Sequence, residues 1–333
     1  MNPIITVNHL HKWFRVAHRR TGIKGMTLDL FSRSYKDVHA VDGVTFSVMP
    51  GEMIGYLGPN GAGKSTTLKI LTGLLVPTRG EVLVSGMVPW RKRVAYVKTI
   101  GAVFGQRNSL WWDLPVIESL ELVEPMYDVP HDRFQSNLKI FRGMLELDEF
   151  INTPVRSLSQ GQLMRAELCA TFLHDPHIVF LDEPTVMLDV VAKERIRSFI
   201  SQVNRERGTT VILTTHDLAD VERLCERVLI IDHGKILYDG LLQELINRYE
   251  GSRLLKVTFS QAYESISLPG LDEPIVEGIQ ATFAYDPKKI TAARLLQQLQ
   301  NKYDVVDIEM LHPAIEDTIR KIYEQGLLLQ PPG

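Results

Sequence analysis

Cysteine is nearly missing: the chain has two in 333 residues, Cys169 and Cys225, far apart and with no Cys or His at metal-ligand spacing. That excludes a disulfide scaffold and a zinc site, and the pair reads as small buried residues of a reducing compartment. Long apolar runs are lacking too. The longest, Ile178–Leu181 and Val228–Ile231, fall far short of the ~18 residues a membrane span needs. The N-terminus also lacks the apolar core of a secretory leader, so a chain that neither crosses a membrane itself nor leaves by a signal peptide is expected. Charge of one sign is not in excess, with 37 Lys+Arg against 40 Asp+Glu and a net charge of −3, so there is no global signature of nucleic-acid binding. No internal repeat or low-complexity tract occurs. The hydrophobic share of 44% and charged share of 23% are ordinary for a soluble globular protein, and the length suggests more than one domain.

Gly58-Pro59-Asn60-Gly61-Ala62-Gly63-Lys64-Ser65-Thr66 follows the apolar run Met53–Leu57. Strand, glycine-rich loop and helix from Lys64 is the context that the pattern G-x-x-x-x-G-K-[ST] requires. Glycines let successive backbone N–H groups turn inward and line a nest that a polyphosphate can enter, with a helix N-terminus behind it. Lys64 can reach the terminal phosphates, and the Ser65 hydroxyl is placed to ligate the Mg²⁺ that bridges them.

Three further stretches point to the same edge of a parallel sheet. Ile178–Leu181 reads as a strand buried on both faces, ending in Asp182-Glu183-Pro184. Ligands bind beyond the carboxyl ends of such strands. Residues on an extended segment alternate in direction, so Asp182 can organise Mg²⁺ while Glu183 faces, and polarises, a water. Thr210–Thr215 is a third strand, ending in His216-Asp217 ahead of a helix expected over Leu218–Arg227, which places His216 at the γ-phosphate end. Ile100–Gln106 is a strand ending in Gln106. From Val116 to about Leu173 the apolar period is helical. Within it Leu158-Ser159-Gln160-Gly161-Gln162 precedes an amphipathic helix expected over Leu163–Phe172; Ser159 stands where an N-cap belongs, and such a turn is itself an anion site.

Upstream, Ile4–Val7 is expected to be a short strand, with Val38–Val41 and Val44–Val48 as half-buried strands. Between them Lys12, Arg15, Arg19, Arg20, Lys24, Arg33 and Lys36 stand against one acid, Asp29. That stretch reads as a solvated insertion, with anionic lipid or an acidic partner surface as the alternative. Gly80–Gly86 is a further short strand.

The ordered series 58–66, Gln106, 158–162, 178–184, Leu188-Asp189 and His216 resembles the nucleotide-binding subunit of ABC transporters, over about residues 4–248. The N-terminal insertion, the Gln106–Pro115 stretch and a C-terminal extension are similar to stand-alone ATPase subunits of the ABC-2 type, mostly exporters. The resemblance implies an α/β fold, a P-loop NTPase of the ABC ATPase type with a helical subdomain over about 107–175 in a domain 1–248, and a small α+β accessory domain over 252–328. It implies ATP and Mg²⁺ as ligands, with Gly58–Thr66 holding ATP, Ser65 and Asp182 on the metal, and Gln106 sensing both Mg²⁺ and the membrane partner. Glu183 is then the base and His216 the γ-phosphate ligand, while Ser159, Gly161 and Gln162 contact ATP held by a second copy of the chain. The partners implied are that second copy and an integral membrane permease at the cytoplasmic face, with no direct nucleic acid. A soluble ABC ATPase working on nucleic acid or ribosomes is the alternative, although such chains usually carry two cassettes or a long coiled-coil insert. A small-molecule P-loop kinase would leave 158–162 and His216 without a purpose.

Two positions depart from the family pattern: Gln160 stands where glycine is usual, and Met187 replaces the small residue before Leu188-Asp189. The resemblance also implies an aromatic on adenine, and two residues offer one: Tyr35 has the expected spacing to Ala40-Val41-Asp42, and Phe14 holds the alternative position before the insertion. Beyond Arg253 a β-β-α-β-α unit is expected, with strands at Leu255–Phe259, Ile279–Phe283 and Val306–Met310, a helix over Ile290–Tyr303 and a last helix between Pro313 and Gly326. Asn301-Lys-Tyr-Asp304 matches the guanine-recognition pattern N-K-x-D, but it ends a helix instead of following a buried strand and reads as chance.

Overall fold

The computed structural model describes residues 2–18, 34–105, 109–249, 253–263, 266–268, 271, 273–285 and 289–311. Two compact units divide between Leu241 and Leu242. Among the described residues no helix is long and apolar enough to cross a membrane.

The first unit opens with β1 (Ile5–His18) and β2 (Ser34–Val48), a long antiparallel pair. The short strand expected over Ile4–Val7 is part of this longer pair, and both ends of the expected insertion lie within it: Lys12 and Arg15 on β1 and Lys36 on β2, opposite Val16. Arg19, Arg20, Lys24, Asp29 and Arg33 lie outside the described residues. The reason is local, since basic residues alternating with Trp13, Phe14 and Val16 fit an exposed strand as well as a loop. β3 (Met53–Leu57) leads to α1 (Lys64–Leu71), both at the expected boundaries. β4 (Arg79–Val84) does not join β3. It pairs with β1 and completes a three-stranded antiparallel sheet.

After α2 (Arg93–Val97) come β5 (Ile100–Phe104), α3 (Val116–Glu121), α4 (Val123–Tyr127), α5 (His131–Met144) and α6 (Gln160–Leu173). Next are β6 (Ile178–Asp182), α7 (Val190–Arg207), β7 (Thr210–Thr214), α8 (Leu218–Leu224), β8 (Arg227–Asp232) and β9 (Lys235–Leu241). α8 stops three residues earlier than expected because Arg227 already belongs to β8, where its guanidinium pairs with Asp239 at 2.7 Å. The second sheet has the order β5-β6-β7-β3-β8-β9, parallel throughout except for the β8–β9 edge. Ile178, Val179, Phe180 and Leu181 are all fully buried, as a strand covered on both faces must be.

α6 was expected to be amphipathic, yet every residue from Met164 to Leu173 is buried. It is walled on one side by α5 and on another by α7: Phe141, Phe172 and Phe199 meet edge to face, with ring centroids 5.2–6.4 Å apart. That interlock anchors the C-terminal end of α6.

The second unit contains α9 (Leu242–Tyr249), β10 (Arg253–Phe259), β11 (Ile275–Glu277), β12 (Gln280–Tyr285), α10 (Ala292–Gln300) and β13 (Val305–Leu311). Its sheet is antiparallel, ordered β11-β12-β10-β13. Leu255, Val257, Phe259, Phe283 and Leu295 form its core. Tyr303, from the N-K-x-D match, packs its ring against Phe259 and Tyr263. The last helix expected lies outside the described residues.

Candidate nucleotide site

Parallel pairing puts four strand ends in one row: Phe104 is opposite Asp182, Asp182 opposite Thr214, and Thr214 opposite Tyr56. β3 lies between β7 and β8. The chain therefore departs from the centre of the sheet in one direction and returns on the other side, and the crevice at such a switch point receives ligands. The loop 58–63 leaves from that crevice.

Backbone contacts hold the loop from behind. Gly234 N–H donates to Ala62 O at 2.9 Å, and Asp42 N–H donates to Gly234 O at 2.8 Å. Gly63 has φ +110°, and a Cβ there would lie 2.3 Å from Ala40 O; at Gly58 a Cβ would lie 2.4 Å from Ile231 O. Only glycine fits at these two positions. Lys64 is 6% exposed, and its ammonium donates to Gly58 O at 2.6 Å and to Pro59 O at 3.2 Å. Burial lowers its pKa, opposed by the negative charges of Glu183 and Asp182.

The Ser65 hydroxyl donates to Asp182 Oδ1 at 3.3 Å, and the Thr214 hydroxyl donates to the same oxygen. Serine and aspartate are hard oxygen donors of the kind Mg²⁺ takes. Among the described residues no group of three or more His, Cys, Asp or Glu could hold a metal. A cation at this point would complete its shell from phosphate and water, which suits the phosphate nest beside it.

Glu183 is not on extended backbone as expected. β6 ends at Asp182, and Glu183 sits in the left-handed region at φ +56°, fixed by its N–H donating to Thr214 O at 2.9 Å. For a side chain with a Cβ that conformation costs about 1–2 kcal/mol. It brings Glu183 Oε1 to 3.3 Å from His216 Nδ1. An imidazole that gives its Nδ1 proton to Glu183 has an N–H left for a phosphate only as the imidazolium.

α6 begins at Gln160, three residues ahead of the expected Leu163, because Ser159 and Gln162 close a capping box. Ser159 Oγ accepts from Gln162 N–H at 3.3 Å, and Ser159 N–H donates to Gln162 Oε1 at 2.9 Å. The box occupies acceptors and leaves donors, the Ser159 hydroxyl hydrogen and the Gln162 NH₂, so capping and anion recognition are compatible in one turn. Gly161 lies against Ala192 of α7. Among the described residues no hydrogen bond joins Ser159 or Gln162 to residues 58–66.

Tyr35 lies opposite Ala17 on the hairpin and is 50% exposed; Phe14, opposite Val38, is 37% exposed. Gln106 falls outside the described residues. Met187 is 88% exposed at φ +62°, beside the exposed Val190 and Val191.

Sequence reasoning passed over several groups. Thr214 shares Asp182. Glu167 of α6, 3% exposed, accepts from Ser109 N–H at 2.6 Å and Ser109 Oγ at 3.0 Å, fastening the segment after Gln106 to α6. Burial raises the pKa of Glu167, partly offset by those donors. Asp220 of α8 is fully buried. The hydrophobic pattern held no signal for Glu167, because the partner that makes its burial tolerable, Ser109, comes from another part of the chain.

Fold and crevice together define a P-loop nucleoside triphosphatase. The family profile described as ABC transporter matches residues 41–186. The chain is 32% identical over 290 residues to Nod factor export ATP-binding protein I of Rhizobium etli, covering 82% of this chain and 89% of that one. It is 29% identical to the linearmycin resistance ATP-binding protein LnrL of Bacillus subtilis, covering 85% and 93%. A solved structure described as a dimeric post-hydrolysis state of the ATP-binding cassette MJ0796, bound to ADP and Pi, superposes with TM-score 0.59 at 26% identity, covering 72% and 98%. The chain belongs to the ABC transporter family, as an ATP-binding, ATP-hydrolysing subunit that powers transport.

Proposed function

We propose that two copies of this chain close around two ATP molecules at the cytoplasmic face of the membrane and drive export through a separate permease. The observation that carries the reading is the meeting of the 58–66 nest, Ser65, Asp182, Glu183 and His216 at one row of strand ends. Export is supported by the relatives, one named for Nod factor export and another for linearmycin resistance. Pairing of two copies is supported by the dimeric state of the MJ0796 cassette.

Residues 58–66 and Lys64 bind the phosphates, and Ser65 and Asp182, with Gln106, hold Mg²⁺, whose chemistry is to neutralise charge between the phosphates. Glu183 polarises the attacking water, and His216 orients the γ-phosphate. Ser159, Gly161 and Gln162 meet the ATP of the second copy through the donors their cap leaves free. For adenine the hairpin offers two aromatics. Phe14 is opposite Val38, two residues or about 7 Å of strand from Ala40 behind the loop, whereas Tyr35 is five residues or about 17 Å away. Register thus favours Phe14. Trp111 and Trp112, 46% and 55% exposed beside the segment that Glu167 fastens, form the surface for the permease.

Two measurements test this. Glu183→Gln is expected to keep ATP affinity, lose turnover and trap an ATP-bound dimer; unchanged hydrolysis removes Glu183 from the mechanism. The protein is expected to sediment with membranes only when its permease is co-expressed. Tight, permease-independent binding to ribosomes or DNA favours the alternative ATPase class.

A further inference from the structure

Glu183 and His216 sit on different loops, one after β6 and one after β7, and their contact is long at 3.3 Å. Glu183 N–H to Thr214 O at 2.9 Å ties the backbone of the first loop to the end of β7, but beyond that bond the segments that carry the two side chains onward need a hold of their own, the more so because Glu183 is held in a backbone conformation its side chain disfavours. Two threonines flank the pair. Thr185, two residues after Glu183, is 1% exposed, and Thr215, immediately before His216, is fully buried.

Both hydroxyls donate to one oxygen, Asp220 Oδ2, from Thr215 at 3.2 Å and from Thr185 as well. The Thr215 oxygen also accepts from Asp217 N–H at 2.9 Å, and its own proton has Asp220 Oδ2 as the nearer of two acceptors, the other being Asp217 O at 3.4 Å. The other carboxylate oxygen, Asp220 Oδ1, receives the Arg197 guanidinium, from Nε at 2.7 Å and Nη2 at 2.5 Å. Arg197 and Lys193, both on α7, also reach Asp217, the residue after His216. The carboxylate is thus saturated by four donors drawn from three separate pieces of chain.

We infer that Asp220 is a positioning residue: by accepting from Thr185 and Thr215 together, its buried carboxylate sets the distance between Glu183 and His216 and so the alignment of water and γ-phosphate. The inference rests on the roles given above to Glu183 and His216. A purely structural role would reside in the Arg197–Asp220 pair that joins α7 to α8. The threonine hydroxyls separate the two possibilities, because removing them takes away the side-chain tie between the loops while Arg197–Asp220 and the backbone bond from Glu183 N–H to Thr214 O stay intact.

The experiment compares Thr185→Val/Thr215→Val with Thr185→Ser/Thr215→Ser in the full chain, reading kcat, ATP affinity by equilibrium binding of a fluorescent ATP analogue, and thermal stability. A displacement near 1 Å of a reacting group costs on the order of 100-fold in rate. The valine pair is therefore expected to lose roughly 10- to 100-fold in kcat with analogue affinity within about twofold, and the serine pair, which restores both donors, is expected to recover most of the rate. Asp220→Ala is expected to lose at least as much, with a lower melting temperature besides. A valine pair with wild-type kcat overturns the inference. So does a valine pair that loses analogue affinity and kcat together, since the threonines would then serve the whole site. Glu183→Gln is assayed alongside: wild-type turnover by that variant marks failure of the site assignment, whereas an inactive Glu183→Gln with an unaffected valine pair marks failure of this inference alone.

Discussion

Replacing Ser159 by Asp separates the two duties of the turn that opens α6. Aspartate is as good an N-cap as serine, and the helix N-terminus favours its charge, so Gln162 N–H keeps its acceptor and stability is expected to hold within about 0.5 kcal/mol. What is lost is the hydroxyl hydrogen, which the capping box leaves unused. A hydrogen bond to a charged phosphate contributes about 1.5–3 kcal/mol. A carboxylate facing that phosphate adds about 1 kcal/mol of repulsion at 4 Å even in water. Together about 2.5–4 kcal/mol corresponds to a roughly 70- to 900-fold loss of turnover at unchanged melting temperature. The decisive assay pairs this chain with one carrying Lys64→Ala, isolating heterodimers through two different affinity tags. If each site combines one chain's loop with the other's turn, both defects fall in one site and the second is intact, so a substantial part of wild-type turnover returns. If each site is built within one chain, both remain damaged. Heterodimers that recover neither turnover nor ATP-induced dimerisation refute the shared site, and wild-type turnover by Ser159→Asp alone refutes the phosphate contact.

Two other outcomes follow from particular side chains. Burial holds the pKa of His174 down to about 4, although its bond to Ile100 O at 2.9 Å and the charge of Asp175 pull it up. The unfolded chain, with an imidazole pKa near ~6.5, takes the proton first, so this group's stability is complete above that pH and declines by roughly 3 kcal/mol as the pH falls toward 4. Urea midpoints of His174→Asn measured from pH 7 to 4.5 are expected to fall less steeply than those of wild type; parallel slopes contradict the assignment. Stacking on a base contributes about 1–3 kcal/mol, so Phe14→Ala is expected to weaken ATP binding by roughly 5- to 150-fold and Tyr35→Ala by much less. Titration with ATP checks the order, and the reverse order returns Tyr35 to the adenine.

The nucleotide loop was legible in the sequence because its constraints are local: the glycines, the strand before them and the helix after them all lie within residues 53–71. β6 was legible for the same reason, four aliphatic and aromatic residues with nothing polar between them. Partnership was harder to read. β4 looks like any short strand, and only its pairing with β1 places it in the antiparallel sheet. α6 contains Arg165 and Glu167, which periodicity assigns to solvent, but Arg165 donates to Leu145 O at 3.1 Å and Glu167 accepts from Ser109, so both are buried with partners far away in the chain. The same holds for Asp220. Charges that a fold buries and satisfies are invisible to a hydrophobic pattern, because the partners that make burial tolerable come from other elements. Glu183 illustrates a different limit: nothing in a run of buried residues announces that the next one will turn left-handed.

The glycines of the nucleotide loop differ in what would tolerate their loss. Around Gly61 nothing lies within 4 Å of an added Cβ, so its demand is only its φ of +83°. Gly58 and Gly63 instead press against the carbonyls of Ile231 and Ala40, in the strands that brace the loop. These two are written into the scaffold independently of any nucleotide. A lineage of this chain that had abandoned ATP could drift at Lys64 and Ser65 and still be held to glycine at 58 and 63, so the surviving glycines would betray the ancestry of the loop without testifying to its activity.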